Sequence, residues 1–376
     1  MTTAVCLLAR TLGTPTAAGH LWVYLNWALG LRDAGCRVVW LELASPKKAA
    51  ERTAAQVRSL RERLAPFGFE ASLAVASNGD APLPEGAAQG CLDLETAAEA
   101  DLLLDMAYGP APVVARFRRN ALLDIDPGLC QLWASRGQLP IAPHDLYFTI
   151  GETVGRRGAR FPDAGLDWVH TPPCVHLPSW PVHRARDDAP FTTVSNWIMY
   201  DYWVDDEDGG YANDKRSGFL PFLDLPRHSV VPLELALSLG GAEEEREDLE
   251  KRGWRVREAH EAVNTPDAYQ AYIRASRGEW SAAKPSCAKL QNAWVSDRTL
   301  CYLASGKPVV VQHTGPSAIL PDAEGMFRFT TLEEAAAALE RVQSDYPNQC
   351  RLARALAEER FDAARVATQL LERAFG

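Results

Sequence analysis

Short hydrophobic runs alternate with segments of helical spacing along the first half of the chain. The runs cover residues 4–9, 37–43, 101–106, 121–125 and 146–150. Between the first two runs, residues 20–35 carry apolar side chains at helical spacing and end at Gly35, a residue type favoured just after a helix. Such alternation predicts parallel strands joined by helices, so we expect a doubly wound parallel sheet here.

A passage rich in proline, histidine and tryptophan, residues 169–190, interrupts the alternation. Proline removes amide donors and opposes both helices and central strands, so we place a domain boundary there. Strand-like runs return at residues 191–197, 232–237, 254–259, 279–284 and 307–312 and predict a second sheet. Residues 346–375 have the spacing of one long amphipathic helix. We therefore predict an α/β fold of two Rossmann-like domains, 1–185 and 186–357, with an inter-domain cleft and a C-terminal helix, 358–376, that returns to the first domain.

Composition excludes several classes of function. The 376 residues suffice for two cores, and 47% hydrophobic with 23% charged residues is typical of globular proteins. A net charge of -10 disfavours binding to nucleic acid or anionic membranes, which requires a basic face. The eight cysteines form no CxxC pair and no cluster with histidine, so we expect reduced thiols and no bound metal. Because we find neither a signal peptide nor an apolar run long enough to cross a bilayer, we expect a cytoplasmic protein.

The segment 276–315 is the most informative part of the sequence. It predicts a strand, a turn, a helix over 297–305 and a further strand, so this helix begins at the edge where the parallel strands end. Free amides and the helix dipole at such an edge favour an anion, here a diphosphate. Ser296, Asp297 and Arg298 are therefore candidate donor-binding residues, although an ordinary helix N-cap explains Ser296 or Asp297 equally well.

Further polar residues flank the same predicted edge. Asn196 ends the first strand of the second domain, and Lys215 follows in a polar loop. Arg277 and Lys284 flank the strand before the phosphate segment, where a cation would neutralise a departing diphosphate. A single basic residue is more often an ordinary surface residue, but two beside one anion-binding helix favour the functional interpretation.

Polar residues also follow strands of the first domain. Asp124 and Asp126 share one face of a strand, and Thr149 and Glu152 occupy the equivalent position one strand later. All four are candidates for binding acceptor hydroxyls, and Asp124 is also a candidate general base. For Asp126, turn formation before a Pro-Gly pair is at least as good an explanation. His144 lies in a predicted loop and receives no role.

An ordered set of segments resembles the bacterial GT-B glycosyltransferases, of the family-1-like and family-4-like kind found beside natural-product or cell-surface sugar genes. These segments are GLRDAGCRVVWLE, ALLDIDPG, LYFTIGETVG, FTTVSNW, YQAYIRASRGEWSAAK, WVSDRTLCYLASGKPVVVQHTG and EERFD. The resemblance implies two Rossmann-like domains, with the donor nucleotide in the C-terminal domain and the acceptor mainly in the N-terminal one. It also implies donor contacts from Gln312, His313 and Thr314.

The chain departs from this family beside the phosphate segment. Many retaining members carry two glutamates, and the matching positions hold Ala293 and Cys301. Inverting relatives often place a histidine at the position of Ala293, and His313 stands where similar proteins tend to have an acidic residue. The missing glutamate pair favours inversion of configuration at the transferred sugar.

A loop of small residues precedes the first helix, and Gly19 and His20 lie near the start of that helix. Backbone can approach a substrate closely at such a loop, which makes Gly19 a candidate acceptor contact. A general base must take the proton of the acceptor hydroxyl, and imidazole titrates in the useful range. A lone histidine at a helix start is more often structural, but similar inverting enzymes place their base in a GH dipeptide of this loop. The resemblance thus makes His20 the leading candidate base.

Together these features predict a metal-independent hexosyltransferase without a cofactor. It would move a sugar from a nucleoside diphosphate sugar to a small-molecule acceptor, and Trp254 and Trp280 are candidates for stacking on the base. Two alternatives remain open: a sugar-nucleotide 2-epimerase, and a non-catalytic sugar-nucleotide-binding protein. The identity of the nucleotide, sugar and acceptor, and the existence of a homodimer, are also left open.

Overall fold

The computed structural model describes residues 2–197, 203–205 and 209–376, which form two compact units. The first unit comprises Met1–Gly155, Pro162–His176 and Ala363–Gly376, and the second comprises Arg156–Phe161 and Leu177–Asp362. The chain therefore enters the second unit and comes back to the first with its last helix.

The first unit is built on a seven-stranded parallel sheet of order β3-β2-β1-β4-β5-β6-β7. Its strands are β1 (Ala4–Ala9), β2 (Arg37–Ala44), β3 (Leu73–Ser77), β4 (Leu102–Asp105), β5 (Asn120–Asp124), β6 (Leu146–Thr149) and β7 (Trp168–His170). Its helices are α1 (Ala18–Asp33), α2 (Ala50–Leu64), α3 (Leu94–Ala97), α4 (Ala111–Val114), α5 (Leu129–Ser135) and α14 (Ala363–Phe375). Every residue of β1 is buried, which is why this strand is a continuous apolar run without alternation.

The second unit contains a six-stranded parallel sheet of order β12-β11-β8-β13-β14-β15 and a separate two-stranded antiparallel sheet. Its strands are β8 (Phe191–Asn196), β9 (Trp203–Val204), β10 (Tyr211–Ala212), β11 (Leu233–Ser238), β12 (Arg255–Glu258), β13 (Gly278–Ser281), β14 (Val309–Gln312) and β15 (Met326–Phe329). Its helices are α6 (Lys215–Phe219), α7 (Glu243–Lys251), α8 (Ala259–Ala262), α9 (Pro266–Ala275), α10 (Pro285–Leu290), α11 (Asp297–Ala304), α12 (Leu332–Ser344) and α13 (Tyr346–Arg360). The prediction of two parallel-sheet, Rossmann-like domains is confirmed.

Aromatic side chains fill the core of the second unit. Trp280 stacks on Phe329 with ring centroids 5.8 Å apart, and Trp254 packs against Trp280 at 5.2 Å. Both tryptophans are almost completely buried. They therefore stabilise the core, and the expectation that they stack on a nucleotide base is wrong.

The C-terminal helix α14 packs on α1 within the first unit, as the predicted fold requires. A Cβ atom at Gly30 of α1 would lie 2.6 Å from the carbonyl oxygen of Ala363, so this close approach needs a glycine. The prediction of one continuous helix over 346–375 is wrong. Phe361 is fully buried and leaves the helical conformation, so α13 ends before it and α14 begins after Asp362.

Candidate functional site

The N-terminus of α11 lies at the carboxyl edge of the second sheet, the edge at which its parallel strands end. Ser296 occupies the N-cap position, but its side chain makes no capping hydrogen bond. The amides of the first turn therefore have no side-chain cap, and together with the helix dipole they favour an anion. Asp297 begins the helix, and burial raises the pKa of its carboxyl to about 6, against backbone hydrogen bonding and the charge of Arg298.

Lys215 is the first residue of α6 and lies at the same edge, because the amide of the next residue, Arg216, donates to the carbonyl of Trp197, directly after β8. Its Nζ donates to the carbonyl of Ala282 at 3.3 Å and lies 5.5 Å from the ring centroid of Trp294. Burial, followed by the positive charges of Arg298 and Lys284, lowers the pKa of Lys215 to about 7. Three cations thus crowd one edge of the sheet, and an incoming anion would relieve their mutual repulsion.

The Arg298 side chain is held by groups of the sheet beneath α11. Its Nε donates to Oε1 of Glu279 at 2.7 Å, and a terminal nitrogen donates to the carbonyl of Val194 at 2.8 Å. The Glu279 side chain is fully buried, so this is an interior ion pair. Arg298 adds positive charge to the edge, but two of its donors already serve to tie α11 to β8 and β13.

The loop before α11 has an unusual backbone. Gln291 and Ala293 adopt positive φ angles of 55° and 57°, which side-chain-bearing residues rarely do. The Ala293 amide donates to the carbonyl of Thr314 at 2.9 Å, and a Cβ atom at Gly315 would lie only 2.5 Å from the Gln291 carbonyl oxygen. The loops after α10 and β14 therefore fix each other, and strained backbone held in this way is common at ligand-binding sites.

The three candidates at the end of β14 already have partners in this loop pair. Gln312 Oε1 accepts the amide of Ala283 at 2.9 Å, and the Thr314 hydroxyl donates to the carbonyl of Trp294 at 2.6 Å. His313 Nδ1 accepts the amide of Gly315 at 3.1 Å. Burial, and next the charge of Arg328, lower the pKa of His313, so its ring is neutral at pH 7.

Two further donor candidates lie at the same edge. Asn196 is the exposed last residue of β8, and Lys284 is the half-buried N-cap of α10, directly after β13. Lys284 is close enough to Lys215 to depress its pKa. The structure thus brings Asn196, Lys284, Lys215 and the start of α11 to one edge of one sheet.

Arg277 lies at the opposite, amino end of the second sheet. It precedes β13, and the four residues of that strand separate it from the edge by about 13 Å. Its guanidinium donates to Gln343 at 2.9 Å and stacks 3.8 Å from the ring centroid of Tyr346. The structure removes Arg277 from the candidate donor site, because the side chain is a buried tie at the amino end of the sheet.

In the first unit, Asp124 is the centre of a buried hydrogen-bond network. Its carboxyl accepts the hydroxyls of Tyr108 at 2.5 Å and Thr149 at 2.7 Å, the side-chain amide of Gln131 at 2.7 Å, and the backbone amide of Asp126 at 3.0 Å. Burial raises the pKa of Asp124, and these bonds oppose that rise. Asp124 and Thr149 are fully buried, so neither side chain is available to an acceptor, and Asp124 is a poor candidate for the base.

Asp126 and Glu152 keep partly exposed side chains at the same edge of the first sheet. They remain acceptor-side candidates, since their carboxylates are not enclosed as that of Asp124 is. Their positions follow from the strands β5 and β6, which end two and three residues before them.

His20 lies in the first turn of α1, which follows β1 at this edge, next to the partly exposed Gly19. Its Nε2 is 2.9 Å from the carbonyl oxygen of Arg10, and its ring meets Tyr24 edge-on at 5.2 Å. A carbonyl oxygen only accepts, so Nε2 carries the hydrogen and Nδ1 keeps a lone pair. No described residue bonds to Nδ1, which leaves that atom able to take a proton.

A buried histidine–aspartate pair was missed by the sequence analysis. His144 Nε2 lies 3.2 Å from Oδ2 of Asp105, and Nδ1 lies 2.7 Å from the carbonyl oxygen of Ala142. Both side chains of the pair are fully buried. Asp105 also accepts the amides of Ala107 and Gly109, so it holds the turn after β4. The only sequence signal is an aspartate that ends a strand.

Within residues 2–197, 203–205 and 209–376, no group of three or more His, Cys, Asp or Glu side chains is arranged to hold a metal ion. Among the helices of these ranges, none combines the length and the apolar character needed to span a lipid bilayer.

No protein-family model matches the chain, and no curated protein matches it. Several solved structures, however, are similar to the chain over almost its whole length. HepE of Anabaena, in complex with UDP and glucose, has 14% identity over 99% of both chains and a TM-score of 0.58. Sucrose-phosphate synthase of Thermosynechococcus elongatus has 12% identity over 99% of this chain and 98% of its own, with a TM-score of 0.56. AviGT4, a glycosyltransferase involved in avilamycin A biosynthesis, has 13% identity over 99% and 97%, with a TM-score of 0.55. These likenesses confirm the predicted GT-B fold.

Proposed function

We propose that this GT-B chain is a glycosyltransferase that moves a hexose from a uridine diphosphate sugar to a hydroxyl of a small-molecule acceptor. The observation that carries the proposal is the cationic edge, defined as Lys215, Lys284 and Arg298 around the uncapped start of α11. Uridine diphosphate is the first donor to test, because HepE of Anabaena was solved with UDP-glucose and with UDP and glucose.

The cationic edge supplies what a departing diphosphate needs. Negative charge grows on the leaving oxygen as the bond to the sugar breaks, and fixed donors aimed at that charge lower the barrier. Lys215 is available for this role because Glu279 is already paired with Arg298 and not with it. We expect these side chains and the α11 amides to carry the leaving-group charge, so that transfer continues in the presence of EDTA.

Inversion at the anomeric carbon is the proposed course. Ala293 and Cys301 occupy the positions of the glutamate pair of retaining enzymes, and both side chains are buried and lack a carboxylate. A single displacement then requires one base on the acceptor side, and Nδ1 of His20 is a basic atom to which no described residue bonds.

Donor binding is the first experiment. Thermal shifts are measured with UDP, dTDP, GDP and ADP, because a ligand that binds only the folded state raises the melting temperature, and raises it more at a given concentration the more tightly it binds. Lys215→Met is compared with Lys251→Met, which removes an exposed lysine of α7. We expect UDP to give the largest shift, reduced in Lys215→Met and unchanged in Lys251→Met. No shift with any of the four would contradict the proposal.

Turnover is the second experiment. UDP release from UDP-glucose is followed with and without a panel of hydroxylated acceptors, and the anomeric configuration of the product is read by NMR. We expect release that depends on acceptor and an inverted product. Conversion of the donor without acceptor would favour an epimerase, and tight binding without any turnover would favour a non-catalytic binding protein.

A further inference from the structure

Glu42 is a buried carboxylate near the carboxyl end of β2. It is 1% exposed, and it lies in register beside Ala9, the last residue of β1. Neighbouring parallel strands end at the same edge of a sheet, so the Glu42 side chain meets the loop that leads from β1 to α1. A charge is costly to bury, so its partners indicate why it is there.

The partners of Glu42 are concentrated on that loop. Both carboxylate oxygens lie 2.9 Å from the amide nitrogen of Thr11, and Oε2 accepts the amide of Leu12 at 3.0 Å. Oε1 also accepts the Thr11 hydroxyl at 2.5 Å and Nε1 of Trp40 at 3.1 Å. A carboxylate is an acceptor only, so it satisfies all of these donors at once. Thr11 and Leu12 are buried, and without Glu42 their donors would lack partners.

The same loop orients the ring of His20. Arg10, the residue before Thr11, supplies the carbonyl oxygen that lies 2.9 Å from Nε2 of His20. The Thr14 amide then donates to Thr11 and the Ala17 amide to Thr14, so consecutive turns lead from Thr11 into α1. No side chain caps α1 at Ala17. The loop is therefore anchored by Glu42, with a further bond from Arg63 to the carbonyl of Thr14 at 3.5 Å, and not by a local helix cap.

We propose that Glu42 is a positioning residue for His20. By holding Thr11 and Leu12, Glu42 fixes the carbonyl of Arg10, and that carbonyl selects the tautomer of His20 with hydrogen on Nε2. Nδ1 is then left to receive the proton of the acceptor hydroxyl. The catalytic consequence rests on the proposed function, whereas the coupling between Glu42 and the His20 tautomer does not.

Glu42→Gln is the test, because it keeps the size of the side chain and removes its charge. One of the two carboxylate oxygens is replaced by the NH2 group of a carboxamide, which is a donor and cannot accept the amide hydrogens of Thr11 and Leu12. Trp40→Phe is the control: it removes a bond to the same Oε1 and a large part of a buried side chain, and leaves the loop bonds in place. It therefore reports what a loss of stability alone does.

Three measurements are made on each variant. Long-range nitrogen–proton NMR gives the His20 tautomer, amide exchange reports the opening of Leu12, and kinetics give kcat and the KM for donor. In Glu42→Gln we expect mixed tautomers, faster exchange at Leu12, a kcat lower by about ten- to a hundredfold, and an unchanged donor KM. Trp40→Phe should match the wild type in all but melting temperature.

Several outcomes would overturn the proposal. A Glu42→Gln protein with the wild-type tautomer and kcat would do so, as would a kcat that falls only in proportion to the folded fraction. If Glu42→Gln does not fold, Thr11→Val removes one bond of the set, and an unchanged tautomer and Leu12 exchange there would refute the coupling. If the wild type shows no transfer at all, the proposed function fails, and the two NMR measurements still decide the role of Glu42.

Discussion

Replacing Lys215 with methionine should make the protein more stable and a weaker binder of UDP. Burial, with the charges of Arg298 and Lys284, lowers the pKa of Lys215 from 10.5 to about 7. The folded-state pKa lies below the unfolded one, so the charged lysine opposes folding at pH 7 and below, and this penalty disappears as the pH rises toward 10.5. The shift corresponds to about 4 kcal/mol at pH 7. Because Lys215 is only half-buried and partly screened by water, we expect a gain of about 1–3 kcal/mol from Lys215→Met.

Binding should change in the opposite direction. Loss of one charged hydrogen bond to phosphate costs about 1.5–3 kcal/mol, or roughly 10- to 150-fold in Kd. A diphosphate beside Lys215 also favours its charged form. With a pKa of about 7, half of the lysine is neutral at pH 7, so binding should take up about half a proton there and more at pH 8.

Calorimetry measures the change in UDP binding, and chemical denaturation measures the change in stability. UDP is titrated in buffers of different ionisation enthalpy, which gives proton uptake, and chemical denaturation at pH 7 and pH 9 gives the stability difference. Lys251→Met controls for the loss of a surface charge. Asp297→Asn removes the other group at this edge that titrates near neutrality, so that its proton uptake can be distinguished from that of Lys215. The reasoning is refuted if Lys215→Met is less stable than the wild type at pH 7, or if it binds UDP with wild-type affinity and proton uptake.

Three further predictions concern single side chains. Burial raises the folded-state pKa of Asp297 to about 6, so its ionised form opposes folding above that pH. Asp297→Asn should therefore gain up to about 3 kcal/mol in stability at pH 7, and thermal denaturation should show this gain vanishing near pH 4. A gain that does not depend on pH would contradict this explanation. Arg298→Ala leaves Glu279 buried without its partner and should lower the free energy of unfolding by about 3–5 kcal/mol. Most of this loss should be recovered in the double variant with Glu279→Met, whereas wild-type stability of the single variant would contradict the buried ion pair. His20→Ala should lower turnover by about a hundredfold or more with UDP affinity unchanged by calorimetry, and full turnover would exclude His20 as the base.

The sequence was sufficient to predict the two parallel sheets and the place of α11. A strand buried on both faces is a continuous apolar run, so the run at residues 4–9 coincides with β1. The β-prone run at 191–197 coincides with β8, although it carries polar residues. The start of α11 at Asp297 was also predicted, because a polar turn before an amphipathic segment marks a helix N-terminus.

Side-chain partners could not be predicted, because they come from elements far apart in the sequence. Nothing in the local pattern shows that Tyr108, Gln131 and Thr149 all donate to Asp124, or that Glu279 holds Arg298. Position relative to a strand end was a second source of error. The strand predicted at 279–284 overlaps β13, Gly278–Ser281, but Arg277 precedes it and so lies at the wrong end for the donor site.

The helical pattern over 346–375 failed for a different reason. Apolar residues continue at helical spacing through Phe361, so periodicity alone shows no interruption. The break depends on Phe361 being buried in a non-helical conformation, which is a consequence of packing and not of local propensity.

The contact between α14 and Gly30 of α1 also bears on how the protein is made. All residues of the second unit leave the ribosome before α14 does, whereas the first unit lacks α14 until residues 363–375 have been synthesised. The nascent first unit therefore presents the apolar flank of α1 uncovered while the second unit has everything it needs to fold. Chaperones that bind exposed apolar surface would thus meet the first unit through α1, and would be released when the thirteen residues of α14 dock.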